Sequence, residues 1–313
     1  MILDSFYSVS GTLFISSILI YILHEIFKRK KLIDFVNKRS SHTSVATRSG
    51  GLAIFIALFI ISSYHYLLNN QPFDFSLLVP LSLLTTVGLY DDVYKLDFKL
   101  KFIFQIIAAK IIIDNGLIID NLHGFLGVYD LSRVVAQLFT IFIIVAIINS
   151  INFIDGIDGL AISVVLFFIL MFEFFAIKQT PYLNFSIILV CSIIPLYYFN
   201  LRKKNKIFLG DSGSLFLGGI VSSYVIYILS QDYIINEEFD IHKILFVISI
   251  LFYPIVDIIR VFFLRLIKGK SPFLADKNHI HHILLEKVKK HSITTLFITF
   301  SSIFFIILVQ ILF

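Results

Sequence analysis

Tryptophan is absent, cysteine occurs once, and charged side chains make up only 15% of the 313 residues. Each scarcity excludes something. A lone cysteine, Cys191, forms neither a disulfide framework nor a thiolate zinc centre, so any metal chemistry must use carboxylates or histidines. Without tryptophan, an aromatic belt at a membrane–water boundary has to come from the 14 Tyr and 35 Phe. The shortage of charge, beside 58% hydrophobic residues and a mean hydropathy of +0.92, excludes a soluble globular chain, which would need more polar surface to cover its core. The first apolar run, Ser5–Leu23, has no basic segment before it and no small-residue cleavage site after it, so it reads as a retained membrane helix. No internal repeat is visible, which weighs against a transporter built from two symmetric halves. No linker or polar stretch could stand as a soluble domain, so residues 1–313 are expected to form a single integral membrane domain.

What is present is a succession of apolar runs. About 20 mostly apolar residues span the hydrocarbon as a helix. Ten runs qualify, near 5–27, 49–69, 75–90, 98–114, 132–149, 159–177, 182–200, 212–231, 243–266 and 292–313, and the expected fold is all-α and polytopic. The basic cluster Lys28–Lys31 after the first run predicts an outside amino terminus, and ten crossings then put both termini outside. The segments expected in the cytoplasm hold seven Lys/Arg at 28–48, three at 91–101, none at 149–158, four at 202–206 and six at 268–290, so 20 of 26 lie on that side, as the positive-inside rule requires.

The concentrated polar motifs fall in those same five segments. "GLYDDVYKL" sets Asp91 and Asp92 side by side at the inner end of a helix. Adjacent carboxylates repel, so the pair calls for a cation, and Mg²⁺, an oxygen-seeking ion that tolerates bound phosphate, is the natural one; a solvated helix end is the alternative. "NSINFIDGIDGLA" places Asp155 and Asp158 three apart among glycines that permit close backbone approach to a ligand. "FLGDSGSLFLGG" sets Asp211 before a helix whose amino terminus favours phosphate, with Ser212 and Ser214 as candidate caps. "SPFLADKNHIHHILL" gives His279, His281 and His282 with Lys277 nearby, a set better suited to a phosphorylated ligand than to zinc, for which no fourth ligand is spaced. "KRSSHTSVATRSGGLAIF" offers His42 and Arg48, the latter able to make bidentate phosphate contacts. Asp257 and Arg260, three apart in an apolar run, read as a structural ion pair. His24, His65, His123, His242 and His291 stand apart from every motif and read as bystanders.

This inventory suits Mg²⁺-assisted phosphoryl transfer to a membrane-resident acceptor. A transporter with an acidic ion path is the competing class, and the gathering of ionisable groups at one face rather than the midplane weighs against it. In order, "RSSH…RSGGLAI", "DDVYKL…KLKFIFQ", "NSINFIDGIDGLA", "FLGDSGSLFLGG" and "PIVDIIRVFFLR…SPFLADKNHIHH" resemble the polyprenyl-phosphate N-acetylhexosamine-1-phosphate transferases over about residues 39–282. The resemblance implies a bacterial cytoplasmic-membrane enzyme with a site facing the cytoplasm. It would move N-acetylhexosamine 1-phosphate from a UDP-sugar to undecaprenyl phosphate and release UMP, starting a lipid-linked cell-surface glycan. It implies catalytic roles for Asp91, Asp92, Asp155 and Asp158, and metal binding by Asp92 and Asp211, with Mg²⁺ or Mn²⁺ as the ion. Substrate binding would fall to Arg48, Lys95, Lys101, Asn152, Phe208 (against uracil), His279, His281 and His282. The partners expected are the two substrates and the bilayer, with no nucleic acid; a homodimer is the oligomer to consider. "RSSH" resembles the branch using deoxy-N-acetylhexosamines such as FucNAc and QuiNAc, whereas "HIHH" resembles the GlcNAc branch; the latter, thought to touch the donor, points to GlcNAc.

Overall fold

The computed structural model describes residues 2–34, 45–71, 73–230, 232–235, 242–269 and 278–312. His42 and Lys277 lie outside them. The apolar runs become helices because a helix satisfies each backbone N–H and C=O within the segment, as hydrocarbon demands. In chain order they are α1 (Ile2–Arg29), α2 (Gly50–Leu67), α3 (Leu78–Tyr94), α4 (Phe98–Asp114), α5 (Arg133–Ile154) and α6 (Leu160–Phe175). There follow α7 (Leu183–Leu201), α8 (Gly210–Leu229), α9 (Lys243–Ile250), α10 (Phe252–Ile267), α11 (Ile280–Val288) and α12 (His291–Leu312). Two short 3-10 turns (Phe75–Leu77 and Phe125–Gly127) and three two-residue strands, β1 (Ile33–Asp34), β2 (Ala46–Thr47) and β3 (Lys206–Ile207), accompany them.

Among the described residues, seven helical stretches are long and apolar enough to cross a bilayer: Ser8–Arg29, Gly50–Leu67, Phe75–Tyr94, Arg133–Ile154, Leu183–Leu201, Gly210–Leu229 and His291–Leu312. The chain is a multi-pass, all-helical membrane protein. Three of the ten expected spans differ from a simple crossing helix. The run at 98–114 is a 17-residue helix carrying Lys99, Lys101, Lys110 and Asp114, too charged for a plain span. The run at 159–177 makes only 16 helical residues, because Ala176 turns extended and bridges to Ile235. The run at 243–266 breaks at Leu251 into α9 and α10, bent by 77°. Pro254 accounts for the break: inside a continuous helix its ring would clash with the carbonyl four residues back, whereas the first turn of a new helix tolerates it.

Two compact units follow from the packing. The first, Met1–Asp97 with Pro181–Leu217, packs α1 on α7 and α2. Ser16 donates to the Ser192 carbonyl at 2.6 Å, and the rings of Phe73 and Phe185 meet edge-on at 4.7 Å. Here the strands form a small sheet, β1 antiparallel to β2 (Asp34 opposite Ala46) and β2 parallel to β3 (Thr47 opposite Ile207). The second unit, Phe98–Thr180 with Gly218–Phe313, packs α5 on α4 and α10, and α12 on α9 and α11. Its aromatic core stacks Phe172 on Tyr233 at 5.3 Å, and the Tyr233 hydroxyl donates to the Phe172 carbonyl.

Helix association in lipid relies on close packing and hydrogen bonds, since burying apolar surface against protein gains little over burying it in lipid. Gly88 of α3 shows how close the packing is: a Cβ there would lie 2.3 Å from the Asp211 carbonyl oxygen on α8. Backbone cannot yield as a side-chain tip can. Gly88→Ala is therefore expected to destabilise the protein by about 1–3 kcal/mol, the usual cost of overpacking. Gly11→Ala, in α1 with nothing within 4 Å, should be neutral or stabilising. Melting temperatures of the two variants in detergent check this; equal behaviour would refute the contact.

Candidate active site

In the first unit the site begins with an uncapped helix. The first N–H groups of α8 have no partner within the helix, and a carboxylate from α3 meets them. Asp92 Oδ1 accepts from the Asp211 amide at 2.9 Å and Oδ2 from the Ser212 amide at 3.0 Å, with the Asp92 side chain only 1% exposed. A negative charge at the positive end of a helix is favourable. The expected caps Ser212 and Ser214 do not fill that role: Ser212 Oγ is buried without a partner, and Ser214 turns toward the Asp211 carbonyl at 3.5 Å. Asp92 reaches the amides first because Gly88, one turn earlier on α3, lets the two helices close up.

Arg48 lies beside this pair. The sheet places it: β1 carries Asp34, β2 ends one residue before Arg48, and β3 runs into Phe208. Arg48 Nη2 and Nε donate to Asp34 Oδ2 at 2.8 and 3.2 Å, and Nη1 stands 3.6 Å from Asp92 Oδ1. Burial alone would lower the guanidinium's affinity for its proton. The hydrogen bond and charge of Asp34, with the charges of Asp92 and Asp211, outweigh it and raise the pKa above the ordinary arginine value. Arg48 is a fixed cation with an open edge. Phe208 is held by its backbone to Thr47 and Gly50, with the Lys206 ammonium 5.6 Å over its ring. Asp91 accepts from the Leu96 amide at 2.6 Å, and Lys95, exposed, ends α3 with a positive φ of 57°.

The second unit gathers the other predicted residues. Asn152 sits in the last turn of α5, Asp155 is that helix's C-cap, and the loop through Asp158 leads into α6. Lys101 is buried on α4, one turn before Gln105, whose carboxamide pairs with that of Asn149 on α5 (2.7 Å). The histidines stand over the same loop. His279 Nδ1 lies 2.6 Å from Asp257 Oδ2, Asp257 Oδ1 accepts from the Ile280 amide at 2.7 Å, and Arg260 donates to the Asn278 carbonyl at 2.6 Å. Asp257 and Arg260 thus do not pair with one another as their spacing suggested. Each instead holds the start of α11. Tyr253 on α10 holds His281 Nδ1 at 2.8 Å, and the His282 ring lies tilted against His281 with centroids 4.2 Å apart. His281 Nε2 is buried with no partner and faces Gly156, where a Cβ would stand 2.5 Å from it. Glycine there lets the loop lie against the histidine. His291, apart in the sequence, is not apart in the fold: its Nδ1 lies 3.0 Å from Asp158 Oδ2.

Six of the predicted residues therefore share the first unit and seven the second. The partners that sequence reasoning missed, Asp34, Tyr253, Asp257 and His291, are all supplied by tertiary contacts. Among the described residues no group of three or more His, Cys, Asp or Glu could hold a metal ion by protein ligands alone. Mg²⁺ characteristically takes one or two carboxylates and completes its shell with water and phosphate. Asp92 and Asp211 supply two, and each Asp92 oxygen keeps a lone pair beyond its amide bond, so the donor set fits that ion.

A multi-pass helical protein with carboxylates, fixed cations and histidines at its helix ends has the chemistry of a membrane-embedded transferase. The chain belongs to glycosyl transferase family 4, whose profile matches residues 75–229. It is similar to the undecaprenyl-phosphate alpha-N-acetylglucosaminyl 1-phosphate transferase of Haemophilus influenzae, with 31% identity over 281 residues, 87% of this chain and 76% of that protein. It is also similar to the decaprenyl-phosphate N-acetylglucosaminephosphotransferase of Mycobacterium leprae (29% over 288 residues, 84% and 72%). A third relative is the undecaprenyl-phosphate alpha-N-acetylglucosaminyl 1-phosphate transferase of Salmonella typhimurium (27% over 285 residues, 86% and 73%).

Burial, then the neighbouring His282 and His279, push His281 down to about 2, so its ring is neutral near pH 7. Unfolded, it titrates near 6.5. Between those values the unfolded chain holds the extra proton, so this stability is complete above pH 6.5 and is lost as pH falls. From pH 7 to pH 5 the wild type should lose about 1–2 kcal/mol more than His281→Asn, which keeps a partner for Tyr253. Parallel melting-temperature curves for the two proteins would contradict a buried neutral His281.

Proposed function

We propose that this protein transfers N-acetylglucosamine 1-phosphate from UDP-N-acetylglucosamine to undecaprenyl phosphate, releasing UMP. The observation that carries the reading is the corner where Asp92, the first turn of α8 with Asp211, and the Arg48 cation meet. Two carboxylates and a guanidinium set together at a helix N-terminus are groups for handling phosphate. The sugar is supported by these three relatives, whose names all carry N-acetylglucosamine, and the acceptor by the polyprenyl phosphates in the same names.

An oxygen of the lipid phosphate attacks the sugar-linked β-phosphorus. The bond from that phosphorus to the bridging oxygen breaks, and the electron pair leaves with UMP. A phosphate monoester is already a competent nucleophile, so direct displacement needs no aspartyl-phosphate relay. Arg48, pinned by Asp34, offers its open edge to phosphate oxygens. Asp91, at the end of α3, orients the attacking phosphate or takes its proton. Asp211 and the remaining lone pairs of Asp92 would hold Mg²⁺, which when bound neutralises the diphosphate and stabilises the leaving group. Phe208 presents a ring face to uracil, with Lys95 and Lys101 steadying phosphates. Asn152, Asp155 and Asp158 act on the donor, and His279, His281 and His282, oriented by Asp257 and Tyr253, grip it. The same reading takes ten crossings in a bacterial cytoplasmic membrane, with both termini outside and the chemistry at the cytoplasmic face, where 20 of the 26 Lys/Arg residues gather.

Purified protein in detergent, supplied with undecaprenyl phosphate, Mg²⁺ and a panel of UDP-sugars, should release UMP, fastest with UDP-N-acetylglucosamine. Asp211→Asn is expected to lower kcat about 100-fold or more, the scale of losing one transition-state electrostatic contact. A faster rate with a deoxy-N-acetylhexosamine donor would reassign the sugar. Folded protein that releases no UMP from any donor would end the transferase reading.

A further inference from the structure

His291 is the first residue of α12, and it follows a two-residue link from α11, whose C-cap Lys289 is in the left-handed conformation (φ 58°). The link fixes where the α12 terminus points. His291 and Thr295, one helical turn apart on α12, both reach one residue of the "NSINFIDGIDGLA" loop. Thr295 Oγ1 donates to the Asp158 carbonyl at 3.0 Å. His291 Nδ1 lies 3.0 Å from Asp158 Oδ2 and 3.2 Å from the Asp158 amide nitrogen.

Nδ1 cannot serve both of those groups at once. If it is bare, it accepts from the amide and faces the carboxylate lone pair to lone pair. If it carries the proton, it donates to the carboxylate at the shorter distance, in a charge-assisted bond. The second arrangement forgoes the amide's bond to Nδ1 and gains the shorter bond to a charged acceptor, which is the stronger of the two. α12 thus holds Asp158 by its main chain through Thr295 and by its functional group through His291. A purely structural tie would need only the main-chain bond; a ring on the carboxylate selects one orientation of it. Both side chains are largely withdrawn from solvent, 21% exposed for His291 and 13% for Asp158, which limits competition from water.

We infer that His291 is a positioning residue for the transferase: its Nδ1–H fixes the Asp158 carboxylate in the orientation the reaction uses. This rests on the function proposed above. The test compares wild type, His291→Ala, His291→Asn, Asp158→Asn and the double variant Asp158→Asn/His291→Ala for UMP release and for melting temperature. Asparagine is the informative replacement, because its Nδ2 donates from nearly the position of Nδ1.

His291→Ala should lower kcat about 10–100-fold, the penalty of a displaced catalytic group, and leave KM for the UDP-sugar within about threefold. His291→Asn should recover most of the rate. In the Asp158→Asn background, removing His291 should cost no further activity. Full activity in folded His291→Ala would overturn the inference, as would an undiminished loss in the double variant or a folded Asn variant that fails to recover. An inactive wild type would instead fall on the transferase reading. In that event the melting-temperature cycle would still report whether the His291–Asp158 contact exists, through its departure from additivity.

Discussion

The contact on which the first unit depends is the Asp92 carboxylate lying across the open amides of α8. An isolated aspartate withdrawn from water at a membrane helix end would be costly, and an uncapped helix terminus would leave its own groups unpaired. Together each removes the other's penalty. The arrangement also dictates geometry. For Asp92 to reach Asp211 and Ser212, α3 and α8 must touch along their backbones, which a side chain at position 88 would prevent. The position of Asp211, and so of the second carboxylate, follows from the same contact.

Charge in this corner is arranged as an alternation. Asp34 fixes Arg48, Arg48 faces Asp92, and Asp92 faces the positive helix end. The guanidinium has one side committed to the fold and another left open. A cation held in this way needs little reordering when an anion arrives, which is where a fixed site gains over mobile surface lysines. In the second unit the device differs. Histidines stand over the loop, and residues of α10 hold two of them: His279 by Asp257 and His281 by Tyr253. The bend before α10, set by Pro254, makes α10 a separate helix, and its Tyr253 and Asp257 reach the first residues of α11.

Much of this was legible in the amino-acid sequence. The runs at 49–69 and 132–149 announce α2 and α5 to within a few residues, because continuous apolar stretches of that length have few other structures open to them in lipid. The motifs were legible because aspartate, asparagine and glycine so dense between apolar runs are hard to account for as turns alone. What could not be read is who holds whom. Asp257 and Arg260 sit at a spacing that permits a pair, yet both are claimed by the segment 278–280, some twenty residues on. Asp34 and His291 carry no local signature, since their partners are chosen by packing rather than by spacing. Ser212 and Ser214 had the right chemistry for a cap and lost to a carboxylate arriving from another helix.

The separation of Asp92 from the amides it caps has a consequence for biosynthesis. The two ends of that contact are 119 residues apart, so α3 is made and meets the membrane well before α8 exists. Until then the aspartate has no helix terminus to sit on, and water must solvate it. Its place in the last turn of α3, rather than deeper, makes that waiting state affordable: the side chain can remain at the aqueous boundary and exchange its waters for amides only when α8 emerges. The order of synthesis thereby restricts how deep in a membrane helix such a cap can lie.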